Sequence, residues 1–185
     1  PTAAAAVAEL RRLGVQVVML TGENEATARR IGSLLGVTTV IAEVLPGDKA
    51  SKVAELQAQG RRVAMVGDGV NDAPALAQAD VGIAIGAGTD VAIETADVVL
   101  MRGDPLDVPV ALLIGRGTVR KMRQNLAWAI GYNAIALPIA AGVFEPAFGL
   151  VLRPEIAALS MSGSSFLVAV NAVTLKRLRL PSPAE

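Results

Sequence analysis

The sequence predicts an α/β fold: a Rossmann-like parallel sheet covered on both faces by helices, followed by a hairpin of two transmembrane helices. Three observations predict it. Within residues 1–104, short runs rich in valine and isoleucine alternate with longer runs of helical periodicity, the signature of βαβ units. Two uncharged runs follow, 125–144 and 156–175, each long enough at 1.5 Å per residue to cross a hydrocarbon core of roughly 30 Å. The composition, 52% hydrophobic but only 3% aromatic with a mean hydropathy of +0.50, is biased toward membrane segments.

The elements follow in chain order. A helical pattern opens the chain at 2–12, so it is expected to be a piece of a longer polypeptide. Strands are expected at 16–20, 39–41, 62–66, 81–85 and 98–101, and helices at 25–35, 48–59, 73–79 and 90–95. Gly36 and Gly60 stand just past two of these helices, where a left-handed residue ends a helix. Crossovers of this length are right-handed in nearly all sheets, which brings the loops after the strands to one edge, where such sheets bind ligands. A basic connecting helix, 105–124, carries Arg116, Arg120, Lys121 and Arg123, and Lys176, Arg177 and Arg179 follow the second apolar run in a tail, 176–185. The connector between the runs holds only Arg153 against Glu145 and Glu155. By the positive-inside rule both ends of the hairpin, and the sheet domain with them, are cytoplasmic. Buried helices of a soluble protein are the competing reading, and two such runs side by side weigh against it.

Composition excludes other classes. Seventeen basic and seventeen acidic residues balance, which leaves no footprint for nucleic acid. The chain has no cysteine, hence neither a disulfide framework nor thiol redox chemistry.

The stretch from Val63 to Leu76 runs an apolar strand into Asp68 and Asp72, with Gly67 and Gly69 around the first carboxylate and Pro74 after the second. A Mg2+ and phosphate site at a strand end needs this: glycines that let backbone approach the ligand, and carboxylates for a hard cation that keeps most of its waters. A solvated Asn-Asp turn is the plainer alternative. Thr21-Gly22-Glu23-Asn24 lies between a strand and a helix, at a position suited to anions, and Lys49 opens the next helix with a point positive charge. Taken singly, Thr21 reads as a helix N-cap and Lys49 as a surface lysine.

In this order the three strings resemble the motifs of the haloacid dehalogenase superfamily in the form used by P-type ATPases. The resemblance implies an aspartate nucleophile outside this chain, Mg2+ on Asp68 with Asp72 closing the acidic site, and Thr21, Gly22 and Lys49 on the phosphoryl oxygens. It also implies that Asn71 orients the phosphoryl group and that Glu23, where the family usually has Asp, lies toward the nucleotide. ATP is the implied cosubstrate.

Inside the apolar runs, Tyr132 and Asn133 precede Pro138, and Met161, Ser164 and Ser165 share one helical face. Ordinary helix packing is the alternative there. After the upstream motifs, these strings resemble the last two membrane helices of heavy-metal P-type ATPases of the copper-exporting branch, with Tyr132, Asn133, Met161 and Ser165 implied for transported Cu(I). Neither run contains Asp, Glu or His, and a thioether suits the soft Cu(I) ion. The resemblance covers nearly the whole chain. It further implies the remaining N-terminal parts of the same polypeptide and a copper chaperone as partners, the lipid bilayer as surroundings, and a bacterial cell membrane as location. A pump for another heavy metal, a soluble phosphatase of the same superfamily, and a non-catalytic membrane-tethered fragment are the other functions the residues allow.

Overall fold

The computed structural model describes residues 2–68, 71–86, 94–149, 153–177 and 180, without the side chains of 154–157 and 177. It divides into two units, one up to Ala111 and one from Leu112 to Leu180.

In the first unit α1 (Thr2–Arg12) precedes β1 (Val18–Leu20), α2 (Glu25–Leu35) and β2 (Thr39–Ile41). A 3-10 turn (Pro46–Asp48) then leads into α3 (Lys49–Ala58), β3 (Ala64–Gly67), α4 (Ala73–Gln78), β4 (Val81–Ile85) and β5 (Val98–Leu100). The Asn24 side chain accepts the backbone N–H of Thr27 at 2.9 Å and caps α2, so the N-cap is Asn24 and not Thr21. Gly36 ends the helix at φ 74°, as its position predicts. The helix expected at 90–95 lies mostly outside the described residues; only Glu94 and Thr95 are seen, and they are helical.

Every strand pairing is parallel, in keeping with the βαβ alternation, but the single sheet is corrected to two ladders among the described strands. β1 pairs with β2, Val18 opposite Thr39, while β3, β4 and β5 form a three-stranded sheet in that order. Between β1 and β3 the link is made by side chains: Arg61 Nη1 donates to Gln16 Oε1 at 3.1 Å, and Gln16 Nε2 to Thr39 Oγ1 at 3.4 Å. The facing edges of β1 and β3 carry no ladder, and Ala64 and Val66 of β3 remain exposed.

Close packing holds the helices to these strands. Leu76 of α4 is 1% exposed against β4, and a Cβ on Gly82 would meet the Leu76 carbonyl oxygen at 2.7 Å, so only glycine lets the two backbones come so near. Asp80 joins α3 to β3, accepting from the Val63 N–H at 2.8 Å and from Gln57 Nε2 at 3.1 Å. These bonds, led by the one from Val63, hold its carboxyl below the usual carboxylate range.

A long helix, α5 (Asp107–Ala140), continues from the first unit into the second, so the connecting helix and the first apolar run form one element. It stops at Ala140, short of the expected 144, because the chain turns over 141–144 with Gly142 at φ 73°. A short α6 (Glu145–Phe148) follows, then α7 (Pro154–Val173) and a 3-10 turn (Thr174–Arg177). Among the described residues one stretch, Ala158–Lys176, is long and apolar enough to cross a membrane. Gln124, Asn125, Tyr132 and Asn133 dilute the apolar half of α5, which is why the first expected run does not stand out in the same way.

Candidate functional site

The strand ends bring the first set of candidate residues to one edge. β3 finishes at Gly67, and Asp68 follows it with an exposed side chain. Gly69 and Val70 lie outside the described residues; the chain resumes in a turn at Asn71 and Asp72 that starts α4. The short, Pro74-containing helix draws its first backbone bond, Leu76 N–H to Asp72 carbonyl at 2.8 Å, back onto that turn. The Asp72 side chain thereby folds under β3: a Cβ on Gly67 would lie 2.5 Å from Asp72 Oδ2. Only glycine at 67 leaves room for this carboxylate.

Asp72 is 9% exposed and is the buried charged residue among those described. Its counterion is Lys49, whose Nζ donates to Asp72 Oδ1 at 2.6 Å from the first residue of α3. A buried carboxylate requires such a partner. The two side chains, 17% and 13% exposed, form the one ion pair among the described residues with both members shielded. Lys49 therefore does not stand free on the surface; it is built into the same site as Asp72.

The Thr21 loop is set by the β1–β2 ladder. The Thr21 N–H donates to the Ile41 carbonyl at 3.0 Å, and its carbonyl accepts from Val44 at 3.1 Å, which extends the pairing beyond the strands. Thr21 Oγ1 accepts the Glu23 N–H at 3.2 Å and so shapes the loop. Glu23 in turn accepts the Glu43 N–H at 2.9 Å through its backbone carbonyl, and the Glu23 side chain is exposed. A Cβ on Gly22 would come within 3.2 Å of the Val44 carbonyl oxygen.

The oxygens at this edge suit Mg2+, a hard cation that takes one or two protein carboxylates and fills its shell with water and phosphate. Asp68 is the exposed carboxylate, and among the described residues no group of three or more His, Cys, Asp or Glu side chains assembles a closed metal cage.

In the second unit the four candidates for the transported ion do not converge. Tyr132 Oη is 2.6 Å from Ser160 Oγ, between α5 and α7. Asn133 donates to the Ala129 carbonyl of its own helix at 2.9 Å, and Met161, 62% exposed, and Ser165 lie on an open face of α7. Ser160 and Asn171 escaped the sequence reading, although a polar residue inside an apolar run is itself a signal. Asn171 accepts from Lys121 Nζ at 2.9 Å and donates to Asn125 Oδ1 at 2.8 Å.

Known proteins match nearly the whole chain. The family model for haloacid dehalogenase-like hydrolases matches residues 1–80. Copper-transporting ATPase 2 of Mus musculus is 54% identical over 181 residues, 98% of this chain and 12% of that protein. Copper-exporting P-type ATPase B of Archaeoglobus fulgidus is 54% identical over 176 residues, 95% of this chain and 25% of that protein. Among solved structures, the crystal structure of a zinc-transporting PIB-type ATPase superposes with a TM-score of 0.80 at 40% identity, covering 95% of this chain and 27% of that one. The chain thus spans between an eighth and a quarter of the curated relatives it matches. By homology along almost its entire length, the chain belongs to the P-type ATPases, among relatives named as copper transporters, and carries their haloacid dehalogenase-like fold.

Proposed function

We propose that this chain is part of a P-type ATPase that exports Cu(I) at the expense of ATP through a phosphoaspartate. The observation that carries the reading is the shielded Lys49–Asp72 pair beside the end of β3, in a chain 54% identical to a copper-transporting ATPase. Lys49 brings a positive charge to the strand-end loops where a phosphoryl group would sit, with Asp72 fixing its position. Thr21 and Gly22 offer a hydroxyl and a backbone N–H to the other phosphoryl oxygens, and Asn71 orients the group. Glu23, exposed on the same loop, lies toward the nucleotide. Asp68 and Asp72 supply the carboxylate oxygens of the Mg2+ site, and Mg2+ when bound neutralises charge on the phosphoryl oxygens.

The unladdered edges of β1 and β3 support the same reading, because a buried parallel sheet satisfies its backbone groups on both sides of each inner strand. A strand from another part of the polypeptide, ending in the nucleophilic aspartate, would pair with both edges. The same reading assigns the second unit to the bilayer and the first to the cytoplasm, supported by the apolar stretch Ala158–Lys176, the apolar half of α5 and the basic residues that flank them. Tyr132, Asn133, Met161 and Ser165 would meet Cu(I) there, as the substrate, on completion by the remaining membrane helices, and a copper chaperone would deliver it.

The test is ATP hydrolysis by the full-length polypeptide in lipid, with Cu(I) or Zn2+ under reducing conditions. Stimulation by Cu(I) supports the assignment. Stimulation by Zn2+ alone would keep the pump and replace its ion, and turnover indifferent to either metal would point to a phosphatase.

A further inference from the structure

We infer that Asn171 is a positioning residue that sets the antiparallel register of α7 on α5 and thereby the height along α5 at which α7 holds Met161 and Ser165. Asn171 has two amide hydrogens and one carbonyl oxygen to satisfy in an otherwise apolar stretch. Its Oδ1 accepts from Lys121 Nζ at 2.9 Å, and its amide nitrogen donates to Asn125 Oδ1 at 2.8 Å and Gln124 Oε1 at 3.4 Å. All three partners lie on α5. The second polar link between the helices is Tyr132 with Ser160 at 2.6 Å.

The two links obey one register. Lys121 to Tyr132 on α5 and Ser160 to Asn171 on α7 are both eleven residues, run in opposite directions. Eleven residues are about three turns, roughly 16 Å, so both links fall on one seam. A slip of one turn destroys this match. Moved one way, Asn171 would face Gly117 and Ser160 would face Trp128; moved the other way, Ser160 would face Ala136. Each alternative loses a hydrogen bond where lipid offers no substitute, the same logic by which a single buried asparagine fixes the register of a coiled coil. On the register observed, Ser160 and Ser164 are half-buried while Met161 and Ser165 are exposed.

The consequence for transport rests on the function proposed above, but the register itself is tested without it. This stretch contributes no cysteine, so in the full-length polypeptide with any cysteine outside it replaced, the introduced pairs are the only thiols. In liposomes, Trp128→Cys with Ser164→Cys reports the register observed, and Gln124→Cys with Ser164→Cys reports the slip of one turn that puts Asn171 opposite Gly117. The first pair should cross-link in preference to the second. Asn171→Leu should shift that preference by about tenfold toward the slipped pair, given the modest worth of each interhelical hydrogen bond in membranes. Asn171→Asp, which still pairs with Lys121, should hold the original preference. Equal preference in the Asn171→Leu and unsubstituted backgrounds would overturn the inference, as would dominance of the slipped pair when Asn171 is intact. Absence of Cu(I)-stimulated hydrolysis would refute the proposed function and leave this result standing.

Discussion

Lys49→Met offers the sharpest test of how the site is built. The substitution keeps the side chain's length and apolar stem but removes the charge that faces Asp72 at 2.6 Å. Asp72, 9% exposed, would then be a carboxylate without its counterion. Removing one partner of a fully buried pair costs about 3–5 kcal/mol, and exposed pairs are worth about 0–1. With 17% and 13% of the side chains exposed, the site lies between these limits, so about 2 kcal/mol is expected. That corresponds to roughly thirtyfold faster hydrogen exchange at the β3 and α4 amides, if they open by the local unfolding the pair resists. Mass-spectrometric exchange on the whole chain measures it. Adding Asp72→Asn should restore most of the protection, because the double variant leaves no unpaired charge. Unchanged exchange in Lys49→Met, or no recovery in the double variant, would refute the view that the pair organises the strand end.

Three further outcomes follow from the same structure. Gly67→Ala should displace the Asp72 carboxylate, since its Cβ would lie 2.5 Å from Oδ2, and should abolish phosphorylation of the full-length protein while far-UV circular dichroism stays unchanged; normal phosphorylation would contradict the close approach. Asp80 titrates below its usual range in the folded state, so its contribution is present above the ordinary carboxylate pKa and is lost as pH falls from there through the lowered value. An acid titration followed by exchange at Val63 should therefore lose its steepness below pH ~4 in Asp80→Asn. Met161→Leu conserves volume on an exposed face and should leave insertion intact but weaken Cu(I)-stimulated turnover; unaltered stimulation would return Met161 to packing.

Much of this architecture is legible in the sequence because local chemistry dictates it. Gly36 marks the end of α2 through a backbone preference that needs no tertiary contact, whereas the cap at its start is Asn24 and not the expected Thr21. Strand positions followed from runs of valine and isoleucine, although β1 begins at Val18 rather than at Gln16, whose polar side chain instead links Arg61 and Thr39. Strand order is a different matter. Alternation does not encode which strands pair, and the break between β1 and β3 is visible only in three dimensions. The spacing of Asp68 and Asp72 announced an acidic site, but the burial of Asp72 on Lys49 depends on α3 meeting α4 across 23 residues of sequence. Likewise Tyr132 stands out as a polar residue in an apolar run, whereas its pairing with Ser160 depends on an interhelical register that no single-helix pattern contains. Asn171 shows that such a register leaves its mark in the sequence once both helices are read together.

The most direct test of the central claim is acid-stable phosphorylation of the full-length polypeptide from ATP, in lipid with Mg2+ and Cu(I), compared with its Asp68→Asn variant. Asp68 is exposed and makes no packing contribution comparable to that of Asp72, so the variant should fold normally. The account predicts a hydroxylamine-sensitive phosphoenzyme in the unsubstituted protein and none in the variant. A phosphoenzyme of equal amount in Asp68→Asn at ordinary Mg2+ would contradict it.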